Sequence, residues 1–345
     1  MINELIIPRP DDMHLHLREG KMLKLVSQHS AYQFGRAVIM PNLKNPVINT
    51  DLAHIYFDEI KKCTKSHQFE PLMTIYFNEG LTLEELKKIK ASSKIIGIKL
   101  YPKGVTTNSN KGINSFESGY KIFEMMEELD IPLLIHGEVN DKSVDIFDRE
   151  RIFIEKHLSR AHKEFPNLKI VLEHISTKDS TEFVKDSSKK IAATITPQHL
   201  LYNRNELFSG GLRPHAFCLP VLKREEHRVA VLNAAISGNP KFFLGTDSAP
   251  HKRAEKESSC GCAGIYSALN AMEIYAEIFD QNNAIEKLEN FCSKFGADFY
   301  KLNQSKEKLK LTRSKNKVQT VIKIDNGDVV PLMAGQEIGW NCSKI

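Results

Sequence analysis

Short runs of β-branched and apolar residues recur along the chain, separated by stretches with helical periodicity. The runs are MHLHL, RAVIMPN, LMTIYF, IIGIKLY, PLLIHGE, KIVLEHIS, IAATITPQH and FFLGTDSAP. Between them lie segments such as TLEELKKIKAS, SFESGYKIFEMMEEL and DRERIFIEKHLSRAHKEF, where apolar residues return every three or four positions and the rest are mostly charged. Strands that alternate with amphipathic helices pair in parallel through right-handed crossovers. Eight such units between about Leu15 and Asp247 predict an α/β fold, a (β/α)8 TIM barrel of roughly the usual 250 residues. The alternative is an open doubly wound sheet, which normally holds fewer units before a domain break.

Beyond Cys260 the pattern predicts one helix through GIYSALNAMEIYAEIF, a second through AIEKLENFCSKFGADFY, and then a strand-like, Gly-rich tail. No Pro-, Gly- or Ser-rich linker interrupts the chain. The expected organisation is a single domain over residues 1–345, with a barrel core of about 8–255 and a short helical and strand extension of about 256–345.

Composition narrows the function classes. With 41% hydrophobic and 26% charged residues the chain is globular, and 48 basic against 43 acidic residues leave a net charge of only +5. That balance suits small anionic substrates without demanding nucleic acid. The one basic run, KEKLKLTRSKNK, alternates lysines with leucines and holds no aromatic residue, so it reads as a solvated strand face. No leader pattern opens the sequence and no apolar run reaches the ~18 residues of a membrane span, so a soluble, cytoplasmic protein is expected. The six cysteines are expected as free thiols, and the close pair Cys260 and Cys262 as part of a tight loop rather than a zinc knuckle.

The chemistry lies at the strand ends. In DDMHLHLREG, strand alternation would put His14, His16 and Arg18 on one face and Met13, Leu15 and Leu17 on the other. Strand four ends near Lys99, strand five near His136, strand six near His174 and strand eight near Asp247. The carboxyl ends of barrel strands converge on one mouth, where active sites sit, so these residues become neighbours. Any one of these histidines could be an ordinary core residue; four of them with an aspartate at one mouth point to a metal site. Lys99 does not belong there as an ammonium, which has three donors and no acceptor. A neutral lysine amine can take up carbon dioxide and become a carbamate, in effect a bidentate carboxylate able to bridge two metals; otherwise Lys99 snorkels to a nearby acid.

Taken together, MHLHLR, VIMPN, IKLYPKGVTTN, LIHGE, EHIS and GTDSAPH followed by CGCAG resemble the short bacterial-type dihydroorotases of the amidohydrolase superfamily, over about residues 8–265. The resemblance implies two Zn2+ per chain: one held by His14, His16 and Asp247 and more buried, the other held by His136 and His174 and more exposed. N6-carboxylated Lys99 and a hydroxide would bridge them. It implies Arg18, Asn42 and His251 as handles for a substrate carboxylate, a mobile loop bearing Thr106 and Thr107, and backbone groups near Leu219 and Ala263 at the edge of the substrate ring. It also implies Asp247 as the proton shuttle in the reversible cyclisation of N-carbamoyl-L-aspartate to L-dihydroorotate in pyrimidine (UMP) biosynthesis, by a homodimer. Read singly, Asn42 is equally a turn residue, His251 a loop histidine and KGVTTNSNKGIN a surface loop. Rival readings are a hydantoinase or allantoinase, sharing the metals but not the handles, and a metal-free scaffold subunit.

Overall fold

A computed structural model describes residues 2–325 and 327–345. Its strands are β1 (Glu4–Pro8), β2 (Asp11–Leu15), β3 (Arg36–Ile39), β4 (Glu70–Tyr76), β5 (Ile95–Leu100), β6 (Leu133–Ile135), β7 (Ile170–Leu172), β8 (Ile191–Ile195), β9 (Phe242–Leu244), β10 (Lys308–Lys317), β11 (Ile322–Ile324), β12 (Gly327–Val329) and β13 (Glu337–Lys344). Strands β2 to β9 form one eight-stranded parallel sheet in sequence order, the eight predicted from the apolar runs. The ring closes just past β9, where Asp247 N–H donates to the His14 carbonyl at 2.9 Å and His16 N–H to the Ser248 carbonyl at 3.2 Å. The open-sheet alternative falls with that closure.

Side chains alternate as a barrel requires. Ile98, Leu133, Ile135, Leu172, Ile195 and Leu244 face the helical ring, while Val38, Leu72, Leu134, Val171, Ala192 and Phe243 fill the lumen. Strand β2 breaks the simple alternation. Its register shifts between Asp12 and Leu15, and Met13 joins the lumen cluster instead of the outer packing face. A bulge of this kind turns one extra side chain inward, so Met13 packs in the lower layer with His14 in the layer above. Gly245 makes room for this: a Cβ there would lie 3.0 Å from that of His14 and 2.7 Å from that of Thr194.

The carboxyl-terminal extension closes the bottom of the barrel, where Phe295 and Tyr300 pack into the lumen cluster. The second predicted helix is broken into a 3-10 turn (Ile285–Lys287), a π-helical turn (Asn290–Lys294) and a short α-helix (Phe295–Phe299). Close approach to the barrel explains the local choice of glycine, since a Cβ on Gly296 would meet Met13 at 2.7 Å. The first predicted helix begins only at Ala271 and ends at Gln281, because the stretch before it is extended and Ile265 pairs with Ser248.

The basic run becomes β10, the centre of a three-stranded antiparallel sheet between β1 and β13, with Leu309 and Leu311 buried and most lysines turned to solvent. Strand β1 was not among the predicted elements, since its partners lie at the other end of the chain. The six cysteines are free thiols, and no described helix is long and apolar enough to cross a membrane.

Candidate active site

At the carboxyl mouth of the barrel the strand ends bring the predicted residues together. His14 is the penultimate residue of β2 and His16 follows it, Lys99 is the penultimate residue of β5, His136 follows β6, and His174 and Asp247 lie two and three residues beyond β7 and β9. The His14 and His174 rings are 4.9 Å apart, His136 and His174 4.7 Å, and His14 and His16 5.3 Å. Asp247 Oδ1 lies 3.0 Å from His16 Nε2 and 3.4 Å from His14 Nε2. One ligand atom from each of these three residues falls within 4.8 Å of the others.

The donor set fits a metal centre. His14 Nε2, His174 Nδ1 and Lys99 Nζ are all buried without a hydrogen-bond partner among the described residues. Orphaned buried polar atoms are costly and uncommon, at about 1–3 kcal/mol each, and three in one site call for a partner from outside the chain. Imidazole and carboxylate are the ligands zinc takes. The far nitrogens of two imidazoles are already committed, His14 Nδ1 to Glu173 Oε2 at 2.8 Å and His136 Nε2 to Glu138 Oε2 at 2.7 Å. Such carboxylate contacts fix the tautomer and ring orientation of a ligating histidine. Burial does not separate the two implied metal positions, because all six residues are buried.

Electrostatics prepare the same groups. Burial lowers the pKa of His16 to about 4 and that of His174 well below the ordinary range, so both rings are neutral at pH 7. Burial alone would lower His14 as well, but Glu173 and Asp247 outweigh it and raise its pKa. For Asp247 the neighbouring His14 and His16 rings outweigh burial and hold the carboxylate ionised, well below its ordinary pKa. Burial brings Lys99 down to about 8 against the pull of Glu173 and Asp247, giving an amine with an appreciable neutral fraction. Its Nζ lies 5.0 Å from the centre of the Tyr101 ring.

Beside these residues is a small pocket. Arg18, Asn42, Thr106, Thr107, Leu219 and Ala263 all line it. Arg18 arrives there differently from the strand-face expectation. Strand β2 ends at Leu15, and Arg18 adopts a left-handed backbone with φ of 60°. Its Nε donates to the Pro250 carbonyl at 3.2 Å and its Nη2 lies 3.1 Å from His251 Nε2. No carboxylate pairs with this guanidinium among the described residues. His251 does not line the pocket; burial, aided by Arg18, lowers its pKa to about 2, and the neutral ring accepts from the arginine.

The segment bearing the threonines lies across the pocket. Thr107 Oγ1 donates to the Ala263 carbonyl at 3.3 Å, Asn42 Nδ2 to the Thr107 carbonyl at 3.0 Å, and Asn108 Nδ2 to the Asn42 carbonyl at 3.0 Å. Asn42 Oδ1 remains buried without a partner among the described residues. Sequence reasoning passed over Glu138, Glu173 and Tyr101. The carboxylates carried a signal, since each stands within two residues of a histidine ligand candidate in HGE or EH.

Comparisons with known proteins agree with this geometry. The sequence profile of the amidohydrolase family matches residues 5–311. The chain is 50% identical over 345 residues to a dihydroorotase from Picosynechococcus sp., covering 100% of both chains. Among solved structures it resembles a dihydroorotase from Campylobacter jejuni, with a TM-score of 0.91 and 40% identity over 99% of this chain and 97% of that one. It also resembles the Saccharomyces cerevisiae dihydroorotase crystallised with 5-fluoroorotic acid, with a TM-score of 0.92 and 33% identity over 99% of each chain.

Proposed function

The chain belongs to the amidohydrolase family, and from that premise and the pocket we infer that it is a dihydroorotase, a hydrolase of cyclic amides interconverting L-dihydroorotate and N-carbamoyl-L-aspartate. One observation in the site carries the reading: a half-buried Arg18 with no carboxylate partner among the described residues shares a pocket with His16, His136, His174 and Asp247. A guanidinium fork matches a carboxylate in two parallel bonds, so an acidic ring fits this site better than the neutral ring of a hydantoin.

In this reading His14, His16 and Asp247 would hold one zinc ion and His136 and His174 a second, with Lys99, carboxylated on Nζ, as a further ligand. Zinc there supplies Lewis acidity toward the ring carbonyl and lowers the pKa of a water molecule. Arg18 and Asn42 hold the substrate carboxylate, and His251 keeps Arg18 in place as a neutral acceptor. Backbone groups at Leu219 and Ala263 meet the ring edge, and the segment through Thr106 and Thr107 closes over it and excludes bulk water.

Asp247 moves the proton. In ring opening the carboxylate takes a proton from the attacking water as oxygen bonds to the amide carbon, then delivers it to the ring nitrogen as the C–N bond breaks. In ring closure the protonated carboxyl gives its proton to the departing oxygen, then takes the proton the nitrogen loses as the C–N bond forms and passes it to the same oxygen, which leaves as water. His14 and His16, both within 3.4 Å of the Asp247 carboxylate, fix its direction.

The 345 residues act as one domain, a reading supported by the plug that Phe295 and Tyr300 form in the lumen. A cytoplasmic homodimer in pyrimidine biosynthesis completes the proposal. The test is zinc analysis of purified protein together with assays of dihydroorotate opening and carbamoyl-aspartate closure, with hydantoin as the rival substrate. About two zinc ions per chain and activity on the acidic ring alone are expected. Full activity without metal, or preference for hydantoin, would overturn it.

A further inference from the structure

Behind the His174 turn lies a buried carboxylate that the reaction does not use. Glu150, at the start of the helix Arg149–Phe153, is 1% exposed. Its Oε1 accepts the backbone N–H groups of Ser176 at 3.0 Å and Thr177 at 3.1 Å, and the Thr177 hydroxyl at 2.8 Å. The hydroxyls of Ser176 and Ser180 also donate to this carboxylate. The residues between β7 and the helix Lys178–Asp186 thus depend on Glu150 for two consecutive backbone donors.

These donors follow directly on a strained ligand. His174 has a φ of 42°, in the left-handed region that a histidine occupies only when its surroundings enforce it. Two restraints act before the strain is relieved. Upstream, His174 N–H donates to Thr194 Oγ1 at 2.7 Å and Ile175 N–H to the Thr194 carbonyl at 3.1 Å. Downstream, Glu150 is the only acceptor of the Ser176 and Thr177 backbone N–H groups among the described residues. Removing the downstream clamp leaves His174 free to relax toward an ordinary conformation, which swings its ring.

The charge on Glu150 is supported in place. Burial alone would raise its pKa, but the Lys223 ammonium and the hydroxyl and amide donors hold it below the usual carboxylate range. Lys223 is itself buried and donates to the Val221 carbonyl at 2.9 Å, two residues beyond the Leu219 segment that lines the pocket. A buried ion held by so many donors is a rigid anchor as long as its partners remain.

We propose that Glu150 is a positioning residue that holds the His174 imidazole in metal-binding geometry by clamping the backbone of Ser176 and Thr177. The proposal rests on the reading of His174 as a zinc ligand. Glu150→Gln is the sharpest test, because it keeps the shape and turns an amide N–H toward donors that need an acceptor. Zinc affinity is measured on metal-free protein by competition with a chromophoric chelator, well below the melting temperature, alongside kcat and KM for dihydroorotate. The expected result is a loss of about 10- to 100-fold in affinity for the weaker of the zinc ions, with kcat falling and KM little changed. Ser180→Ala removes one donor to the same carboxylate and leaves both backbone bonds in place; it should lower the melting temperature without altering zinc affinity. Where Glu150→Gln does not fold, Glu150→Asp keeps the charge facing Lys223 but draws the carboxylate back, and should weaken zinc in the same direction. His174→Ala separates the two ideas. If it loses zinc while folded Glu150→Gln or Glu150→Asp binds zinc like the wild type, Glu150 is only structural and the proposal fails. If His174→Ala itself keeps wild-type zinc affinity, the ligand assignment fails and takes the proposal with it.

Discussion

Asp247 meets His14 twice: its backbone N–H donates to the His14 carbonyl at 2.9 Å, and its carboxylate Oδ1 lies 3.4 Å from His14 Nε2. The first contact closes the barrel between its last strand and its first, and the second brings together two ligand candidates from that seam. Barrel closure and site assembly are therefore one event. Asp12 reinforces it, accepting Thr246 N–H at 2.8 Å, the Thr246 hydroxyl at 2.6 Å and His14 N–H at 3.1 Å.

Lys99 should be indispensable for the metal centre. Lys99→Ala is expected to lose zinc and turnover together, and short carboxylic acids added to it should restore part of both. Reloading of metal-free wild type with zinc and bicarbonate should accelerate as pH rises toward 8, because only the deprotonated amine takes up carbon dioxide. At pH 6, two units below the pKa of about 8, only about 1% of the amine is neutral. Reloading followed by zinc analysis checks this; a rate independent of pH would count against carbamate formation.

The Thr106 and Thr107 segment should govern turnover and not metal binding. Changing both to Val is expected to reduce turnover about 10-fold, the scale of one or two lost hydrogen bonds to the substrate, with zinc content intact. Steady-state kinetics beside zinc analysis decides it, and unchanged kinetics would make the segment an ordinary surface loop.

Asp247 as proton shuttle predicts opposite pH limbs in the two directions. Ring opening needs the ionised carboxylate and should rise with pH; ring closure needs the protonated carboxyl and should fall. The apparent pKa belongs to the coupled cluster, since His14 and His16 both contact the group. Asp247→Asn should lose about 100-fold or more in both directions. Parallel limbs, or an Asp247 variant that retains its metals and most of its rate, would mean that the proton travels another way.

Away from the site, Glu273 should make stability depend on pH. Burial raises its pKa from 4.5 to about 7, and its Oε2 has no hydrogen-bond partner among the described residues. A carboxyl whose folded pKa is raised contributes fully below its unfolded pKa and loses that contribution as pH rises through about 7. Glu273→Gln should match the wild type near pH 4 and exceed it at pH 8, by on the order of 3 kcal/mol. Thermal melts at the two pH values measure the difference, and equal melting temperatures at pH 8 would refute it.

The eight barrel strands and the strand-end positions of His14, His16, Lys99, His136, His174 and Asp247 were legible in the sequence. Local pattern determines them: apolar runs of strand length alternate with amphipathic helical segments, and a parallel ring then sends every strand end to the same mouth. The residue types at those ends, together with the family resemblance, carried the chemistry. Tertiary structure alone decided the rest. The Met13 bulge, the left-handed turn that delivers Arg18, the pairing of β1 with β10, the broken helix under the barrel and the Glu150 clamp on the His174 turn all depend on partners distant in sequence. Periodicity records which face of an element is apolar. It does not record which remote backbone will claim its donors, nor where close packing against another segment will outweigh local propensity, and those two effects set the final geometry of the site.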